Sequence, residues 1–293
     1  MPISRSIFIG DQMTQLTNPL KAFFRQPAIY LKLPSNGSFW PEGSVDFPHN
    51  RELPVYPMTA VDEITYRTPD ALFSGQSVIN VIHSCVPTIK NAWSAPFVDI
   101  NSILIGIRIA SYGHNMEVHT VCAECQHEDD FELDLRHVLD RMEFPDYTEH
   151  VETGDLEIMF QPMTYEQQNA INLRQFEQQK IIRMIPGQTN VSDEQKLEQM
   201  AEVMRTITRM TMEAMKLTIA AIRTPTVTVT EPEHIEEFLN NCDRSVFNLV
   251  REHAIGLRQK SELKPVKLKC TQCEADYEQV LSMDMANFFG TAS

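Results

Sequence analysis

The chain contains 293 residues, of which 25 are basic and 40 are acidic, and its formal net charge is −15. This acidic balance argues against an extended nucleic-acid-binding surface, because phosphate recognition needs clustered Lys and Arg side chains. No apolar run is long enough to span a bilayer, so we expect no membrane contact. The N-terminal stretch is too short and too interrupted for a signal peptide, which predicts synthesis in a cytoplasm.

The N-terminal part of the chain has weak periodicity. Residues 1–30 carry scattered apolar side chains among turn formers, and we interpret them as an N-terminal arm that packs on its own core or extends onto a partner. Residues 31–58 contain several Gly and Pro residues, which predict an extended and turn-rich segment. Within it, residues 53–58 have the pattern of a short edge strand, because their prolines cannot donate to a β-ladder.

Helical signals begin at Thr59, which precedes two acidic residues that suit a helix N-terminus. A second helix start is predicted at Thr68, which is followed by Pro. Residues 99–110 form the most apolar run and predict a central buried helix, with a β-strand as the alternative because Ile is common there. Arg108 in this run is expected to pair with a carboxylate or to cap a helix. Cys85 ends an earlier apolar run and is expected to be a buried thiol.

A succession of short motifs runs through about residues 30–136 in a fixed order. The motifs are Lys32-Leu-Pro-Ser35, Gly37, Pro41-Glu-Gly43, Pro54-Val-Tyr-Pro-Met-Thr59, Asp62-Glu63, Thr68-Pro-Asp-Ala-Leu72, Gly75, Asp99, Ile107-Arg-Ile-Ala-Ser-Tyr-Gly113 and Cys122-x-x-Cys125. Their order and spacing resemble those of the baseplate hub and hub-assembly proteins of T-even-like contractile-tail bacteriophages. The resemblance implies a tail-baseplate role in virion assembly, and it brings no catalytic residues with it.

Residues 162–222 are rich in Gln, Met and Glu and predict two antiparallel helices. Thr164 and Ser192, each with Gln three positions later, have the capping-box pattern of helix starts. Apolar side chains recur every three or four residues along the second helix. This stripe either fills a core or binds a partner, because a two-helix hairpin leaves apolar surface uncovered. The candidate partner-binding residues on it are Met200, Met204 and Ile207.

After this helical region the sequence pattern changes from helical to strand-like and then back to helical. Residues 224–230 alternate Val and Thr, which is typical of a strand. The next segment keeps one face apolar to about residue 258, which predicts helices, one of them starting at Asp243. Cys242 falls on that apolar face, so we exclude it from any metal site.

Two matching cysteine motifs, Cys122-x-x-Cys125 and Cys270-x-x-Cys273, lie far apart in the sequence. Each lies between two segments of alternating polarity, which predicts a strand, a tight turn and a second strand. Two such hairpins facing each other supply the four thiolates of a closed, structural Zn²⁺ site. Redox chemistry fits less well, because the acidic side chains around both motifs disfavour thiolates.

Three other interpretations of these cysteines stay open. They form disulfides if the compartment is oxidising. The fold has lost its metal if the turns are no longer suited to it, since Gln126 and Glu274 stand where zinc knuckles often carry Gly. One of His114, His119 and His127 replaces a thiolate if the second motif does not reach the first.

The sequence contains no phosphate-cradling Gly loop, no GxSxG elbow and no HExxH helix, so we expect no enzyme. We predict an α+β, helix-rich fold with a split zinc-ribbon-like β element and a helical insertion. The predicted divisions are an N-terminal arm (1–30), a mixed α+β domain with the first cysteine motif (31–160), a helical insertion (161–260), and a segment that returns the second motif to the first (261–293).

The predicted function is that of a structural component of a phage tail baseplate, at or near the hub. In this interpretation the protein is located in the virion and binds other baseplate and hub proteins, and its copy number is open. Two alternatives remain open. One is a hub-assembly chaperone that is absent from the mature virion, and the other is a zinc-ribbon adaptor that binds nucleic acid.

Overall fold

The computed structural model describes residues 18–66, 75–188 and 191–279 together with Phe289. Helices and short antiparallel strands mix along the chain, which confirms the predicted α+β class. The described α-helices are α1 (Ala60–Tyr66), α2 (Gln76–Cys85), α3 (Phe97–Tyr112), α4 (Leu135–Asp140), α5 (Tyr165–Met184), α6 (Asp193–Thr218), α7 (Pro232–Asn241) and α8 (Arg244–Ser261), and two short 3-10 helices span Pro19–Phe23 and Ile185–Gly187. The described strands are β1 (Ile29–Lys32), β2 (Glu52–Val55), β3 (Asn115–Val121), β4 (Glu128–Asp134), β5 (Val151–Thr153), β6 (Leu156–Phe160), β7 (Ile219–Arg223), β8 (Thr228–Val229), β9 (Val266–Lys269) and β10 (Asp276–Gln279).

The first core is built around α3, where the sequence predicts a central buried helix. Pro96 precedes this helix, and Gly113 ends it in a backbone conformation of φ 88° that favours glycine. Ile103 and Ile107 are fully buried, so α3 is apolar on nearly all sides and the strand alternative is wrong. The short β1–β2 ladder and helices α1, α2 and α4 contribute the other side chains of this core.

The described part of the predicted N-terminal arm contacts this core through Arg25, whereas Leu20, Phe23 and Phe24 are exposed. Arg25 donates hydrogen bonds to the carbonyl oxygens of Pro57 and Ser84 and lies 3.3 Å from the carboxylate of Asp62. The guanidinium also lies 3.8 Å from the sulfur of Cys85, which is fully buried as predicted. Residues 1–17 of the arm and the helix start predicted at Thr68 lie outside the described residues.

Arg108 is buried within α3, although Arg is seldom buried. Its guanidinium lies over the ring of Tyr112, 5.4 Å from the ring centre, which is a contact that the sequence did not suggest. Burial lowers the pKa of Arg108 from its ordinary value. The predicted partnership with a carboxylate or a helix end stays a prediction.

The second core forms on a four-stranded antiparallel sheet in the order β5-β6-β7-β8. Residues 219–222 were predicted to end the helical region, and this is wrong, because α6 ends at Thr218 and β7 follows at once. The reason is the pairing of Ile219 with Phe160 and of Ile222 with Ile158, which buries all four apolar side chains. The strand predicted over residues 224–230 is reduced to the two residues of β8.

Helices α5 and α6 form the predicted hairpin, and both predicted capping boxes are present at Thr164 and Ser192. The pairing of β6 with β7 joins the two regions that the sequence separated at residue 160. The apolar faces of α7 and α8 cover the second core, and α8 begins after Asp243 as predicted. None of the described helices combines the length and the apolar character that crossing a bilayer requires.

Candidate functional site

The first cysteine motif lies in the turn between β3 and β4, as the sequence predicts. The two strands are antiparallel, and their last pair is Val121 with Glu128. The backbone N–H of Cys122 donates to the carbonyl of His127 over 2.9 Å, and the N–H of Gln126 donates to the carbonyl of Cys122 over 3.0 Å. Gln126 adopts a left-handed backbone with φ 60°. The turn therefore keeps the conformation for which zinc knuckles often use Gly, although it has no Gly.

The second motif repeats this geometry between β9 and β10. The N–H of Cys270 donates to the carbonyl of Ala275 over 2.9 Å, and the N–H of Glu274 donates to the carbonyl of Cys270 over 3.1 Å. Glu274 has a φ of 59°, which matches Gln126 in the first turn. The N–H of Gln272 also lies 3.4 Å from the sulfur of Cys270, where it can stabilise a thiolate.

The two turns face each other and bring all four sulfurs together, within 4.8 Å of one another. The sulfurs of Cys122 and Cys273 are 3.7 Å apart, and those of Cys125 and Cys270 are 3.6 Å apart. A tetrahedral ion with metal–sulfur bonds of about 2.3 Å needs sulfur–sulfur separations of about 3.8 Å. A disulfide needs about 2.05 Å, and all four cysteines are free thiols. The donor set therefore fits a tetrahedral metal ion.

Interactions outside the cysteines also hold the two hairpins together. The hydroxyl groups of Thr120 and Tyr277 are 2.7 Å apart, and the ring of Tyr277 meets that of Phe131 edge-on at 6.5 Å. The hydroxyl of Thr271 donates to the carboxylate of Asp129. We call these three interactions the hairpin clasp. The clasp was not predicted, although Phe131 and Tyr277 occupy inward positions of their alternating strands and could have indicated it.

Cys270 and Cys125 differ in their affinity for protons. Backbone N–H groups, chiefly that of Cys273, lower the pKa of the Cys270 thiol to about 6. The N–H of His127 lowers the pKa of Cys125, but desolvation and the neighbouring thiols outweigh it and raise that pKa to about 12. Only a thiolate binds a metal ion, so metal binding must release protons from this cluster.

The arrangement is that of a closed site rather than a reactive one. Four sulfurs complete a tetrahedron and leave no open position for water or substrate. Redox-active Cys-x-x-Cys pairs usually lie at helix N-termini, whereas both pairs here lie in β-hairpin turns. Among the described residues, the cluster consists of cysteines only, and the ring of His119 instead contacts the carboxylate of Asp130 at 2.9 Å. Cys242 directly follows α7, where it is half-buried and lies outside the cluster.

The predicted partner-binding residues lie on α6. Met204 is 49% exposed, whereas Met200 and Ile207 are half-buried. The side chains that α6 buries are others, among them Val203 and Met210. The stripe predicted from the sequence is therefore divided between a buried face and an exposed one, because its arc is wider than one helix covers.

Comparison with protein-family models matches residues 48–290 to the family described as T4 bacteriophage base plate protein. No curated protein and no solved structure matches the chain. The matched range contains both cysteine motifs, the four-stranded sheet and the α5–α6 hairpin.

Proposed function

The chain belongs to the T4 bacteriophage base plate protein family, and we propose that it is a structural component of the tail baseplate at or near the hub. The observation that carries this proposal is the extent of the family match, which runs from residue 48 to residue 290. A baseplate protein acts in the tail of the virion, so its partners are other baseplate proteins. The protein works through contacts between proteins and has no catalytic role.

The four-cysteine cluster supports this structural role. We propose that Cys122, Cys125, Cys270 and Cys273 hold one Zn²⁺ ion, because their sulfurs have the spacing of a tetrahedral thiolate site. The ion would connect the two hairpins of a split zinc ribbon and thereby fix the end of the chain to its middle. The hairpin clasp brings the same strands together, so the ion completes an arrangement that the protein already favours.

The α5–α6 hairpin is the surface that we assign to docking. The exposed Met204 and the half-buried Met200 and Ile207 lie on its second helix. Exposed apolar patches are typical of contact surfaces between proteins. The net charge of −15 favours protein neighbours over nucleic acid.

The proposal is tested in a phage that lacks the chain. We expect such a phage to produce incomplete tails in electron micrographs, and complete, infectious tails would contradict the proposal. Met204→Glu or Ile207→Glu should weaken assembly, because each places a charge on the docking surface. Thermal denaturation of each variant must show normal folding for the defect to be assigned to docking. Gln199→Glu adds the same charge on the same helix at an exposed position and should leave assembly unchanged.

A further inference from the structure

Helix α6 carries an exposed ridge without charge. The ridge consists of Leu197, Ala201, Met204, Thr208 and Thr211, which are spaced by four and three residues and therefore share one helix face. All five side chains are exposed, and Leu197 is 72% exposed. No acidic or basic residue interrupts this face.

The two threonines make the ridge less polar than their type suggests. The hydroxyl of Thr208 donates to the carbonyl of Met204 over 2.9 Å, and that of Thr211 donates to the carbonyl of Ile207 over 3.0 Å. Both hydroxyl groups are therefore satisfied within the helix, and their methyl groups remain for outside contact. The ridge can lose its water without leaving a polar group unsatisfied.

The buried face of α6 already has its neighbour. Val203 and Met210 are buried, and Arg174 of α5 contacts Glu213 of α6 at 2.5 Å across the seam between the two helices. The ridge lies beside this seam and not within it. Helix α6 is therefore uncharged both on its buried face and on the ridge, and a helix of this kind needs a second neighbour. In the part of the chain that the structure describes, the ridge is exposed.

Charge indicates what the second neighbour is. Residues 165–218 contain seven acidic and seven basic side chains, whereas the whole chain has a net charge of −15. All of the net charge therefore lies outside the hairpin. Two copies that meet through the hairpin therefore bring together two elements without net charge, so no net repulsion between the contacting elements opposes the pairing.

The ridge is also complementary to itself. In an antiparallel pair with a two-fold axis between Ala201 and Met204, the small Ala201 of each copy faces the large Met204 of the other. The same axis brings Glu198, at the border of the ridge, within about one turn of Arg205 of the other copy. We propose that the ridge is the contact between two copies of this chain, packed as antiparallel helices in a two-fold symmetric dimer. The inference rests on the proposed docking role of the hairpin and names its occupant.

The test is the mass of the purified full chain in solution, measured by light scattering and sedimentation. We expect a concentration-dependent mass that approaches twice 33.6 kDa at about 100 µM, where a contact with a Kd of about 10 µM is mostly formed. Met204→Glu should weaken the dimer roughly 100-fold, because it buries two unpaired charges near the axis. Gln199→Glu is the matched control and should remain dimeric, since position 199 lies about 140° around the helix from position 204.

A charge exchange distinguishes the antiparallel dimer from non-specific association. Arg205→Glu should weaken the dimer, and adding Glu198→Arg to it should restore the dimer. Circular dichroism must show normal folding for every variant. A monomer at all concentrations, or a dimer that Met204→Glu leaves intact, would overturn the proposal. Either result leaves the baseplate role standing, because that role is tested separately by the tails of a phage that lacks the chain.

Discussion

Replacing Gln126 and Glu274 by Gly should stabilise the protein. Both residues adopt left-handed backbone angles, with φ 60° and φ 59°, at equivalent positions of the two cysteine turns. A non-Gly residue costs about 1–2 kcal/mol in this conformation, and replacing it by Gly removes that cost. The greater freedom of Gly in the unfolded chain lowers the resulting stabilisation by about 0.5–1 kcal/mol.

Each substitution removes only weak side-chain interactions. The amide of Gln126 reaches the carbonyl of Ala123 at 3.2 Å, and the carboxylate of Glu274 lies 3.6 Å from the exposed ammonium of Lys269. Exposed interactions of this kind contribute between zero and about 1 kcal/mol. We therefore expect each single variant to raise the free energy of unfolding by about 0.5 kcal/mol, and the double variant by about 1 kcal/mol.

Urea denaturation at equal zinc loading measures these changes. Ala123→Gly is the matched control, because Ala123 lies in the same turn without a positive φ. It should lower the free energy of unfolding by about 0.5–1 kcal/mol. A Gln126→Gly variant that is destabilised as much as Ala123→Gly would refute this account of the turns.

Further predictions concern the cysteines themselves. Purified protein should carry one zinc ion per chain by elemental analysis, and Cys270→Ser should release it and expose Cys122 to alkylation; metal-free protein purified without chelator would contradict this. Cys242→Ala should keep its zinc, and loss of the ion would mean that the ligands are misassigned. Burial raises the pKa of Cys85 from 9.0 to about 12, so the folded state holds this proton more tightly than the unfolded state. The contribution of the protonated Cys85 thiol to the free energy of unfolding is fully present below pH 9 and is lost as the pH rises towards 12. The loss amounts to about 1.4 kcal/mol between pH 8 and pH 10. Urea titrations should therefore show a flatter decline over this range for Cys85→Ala than for the unmodified chain, and equal declines would count against the shift.

The candidate site follows from the sequence because its signals are local. Each cysteine motif lies between alternating strands, and this pattern alone predicts a hairpin with its cysteines in the turn. The prediction that the two hairpins meet was based on the chemistry of zinc, which prefers four ligands in a closed site. The hairpin clasp was not predicted, since its partners are far apart in sequence and only the inward positions of Phe131 and Tyr277 could have indicated it.

The wrong prediction for residues 219–222, which form most of β7, also comes from a contact between residues far apart in sequence. Residues 219–222 continue the apolar spacing of α6, and an apolar run this short does not distinguish helix from strand. Pairing with β6, about sixty residues earlier, decides the matter by burying Ile219 and Ile222. The width of the apolar stripe on α6 was visible in the sequence, but its division into a buried face and an exposed ridge depends on the position of α5.

The protein content of purified virions tests most directly whether the protein is a structural part of the baseplate. Quantitative mass spectrometry of complete phage particles should find the chain at a fixed, whole number of copies per tail. Complete and infectious virions that need the chain for their assembly but do not contain it would contradict this structural role, and they would identify the protein as an assembly chaperone.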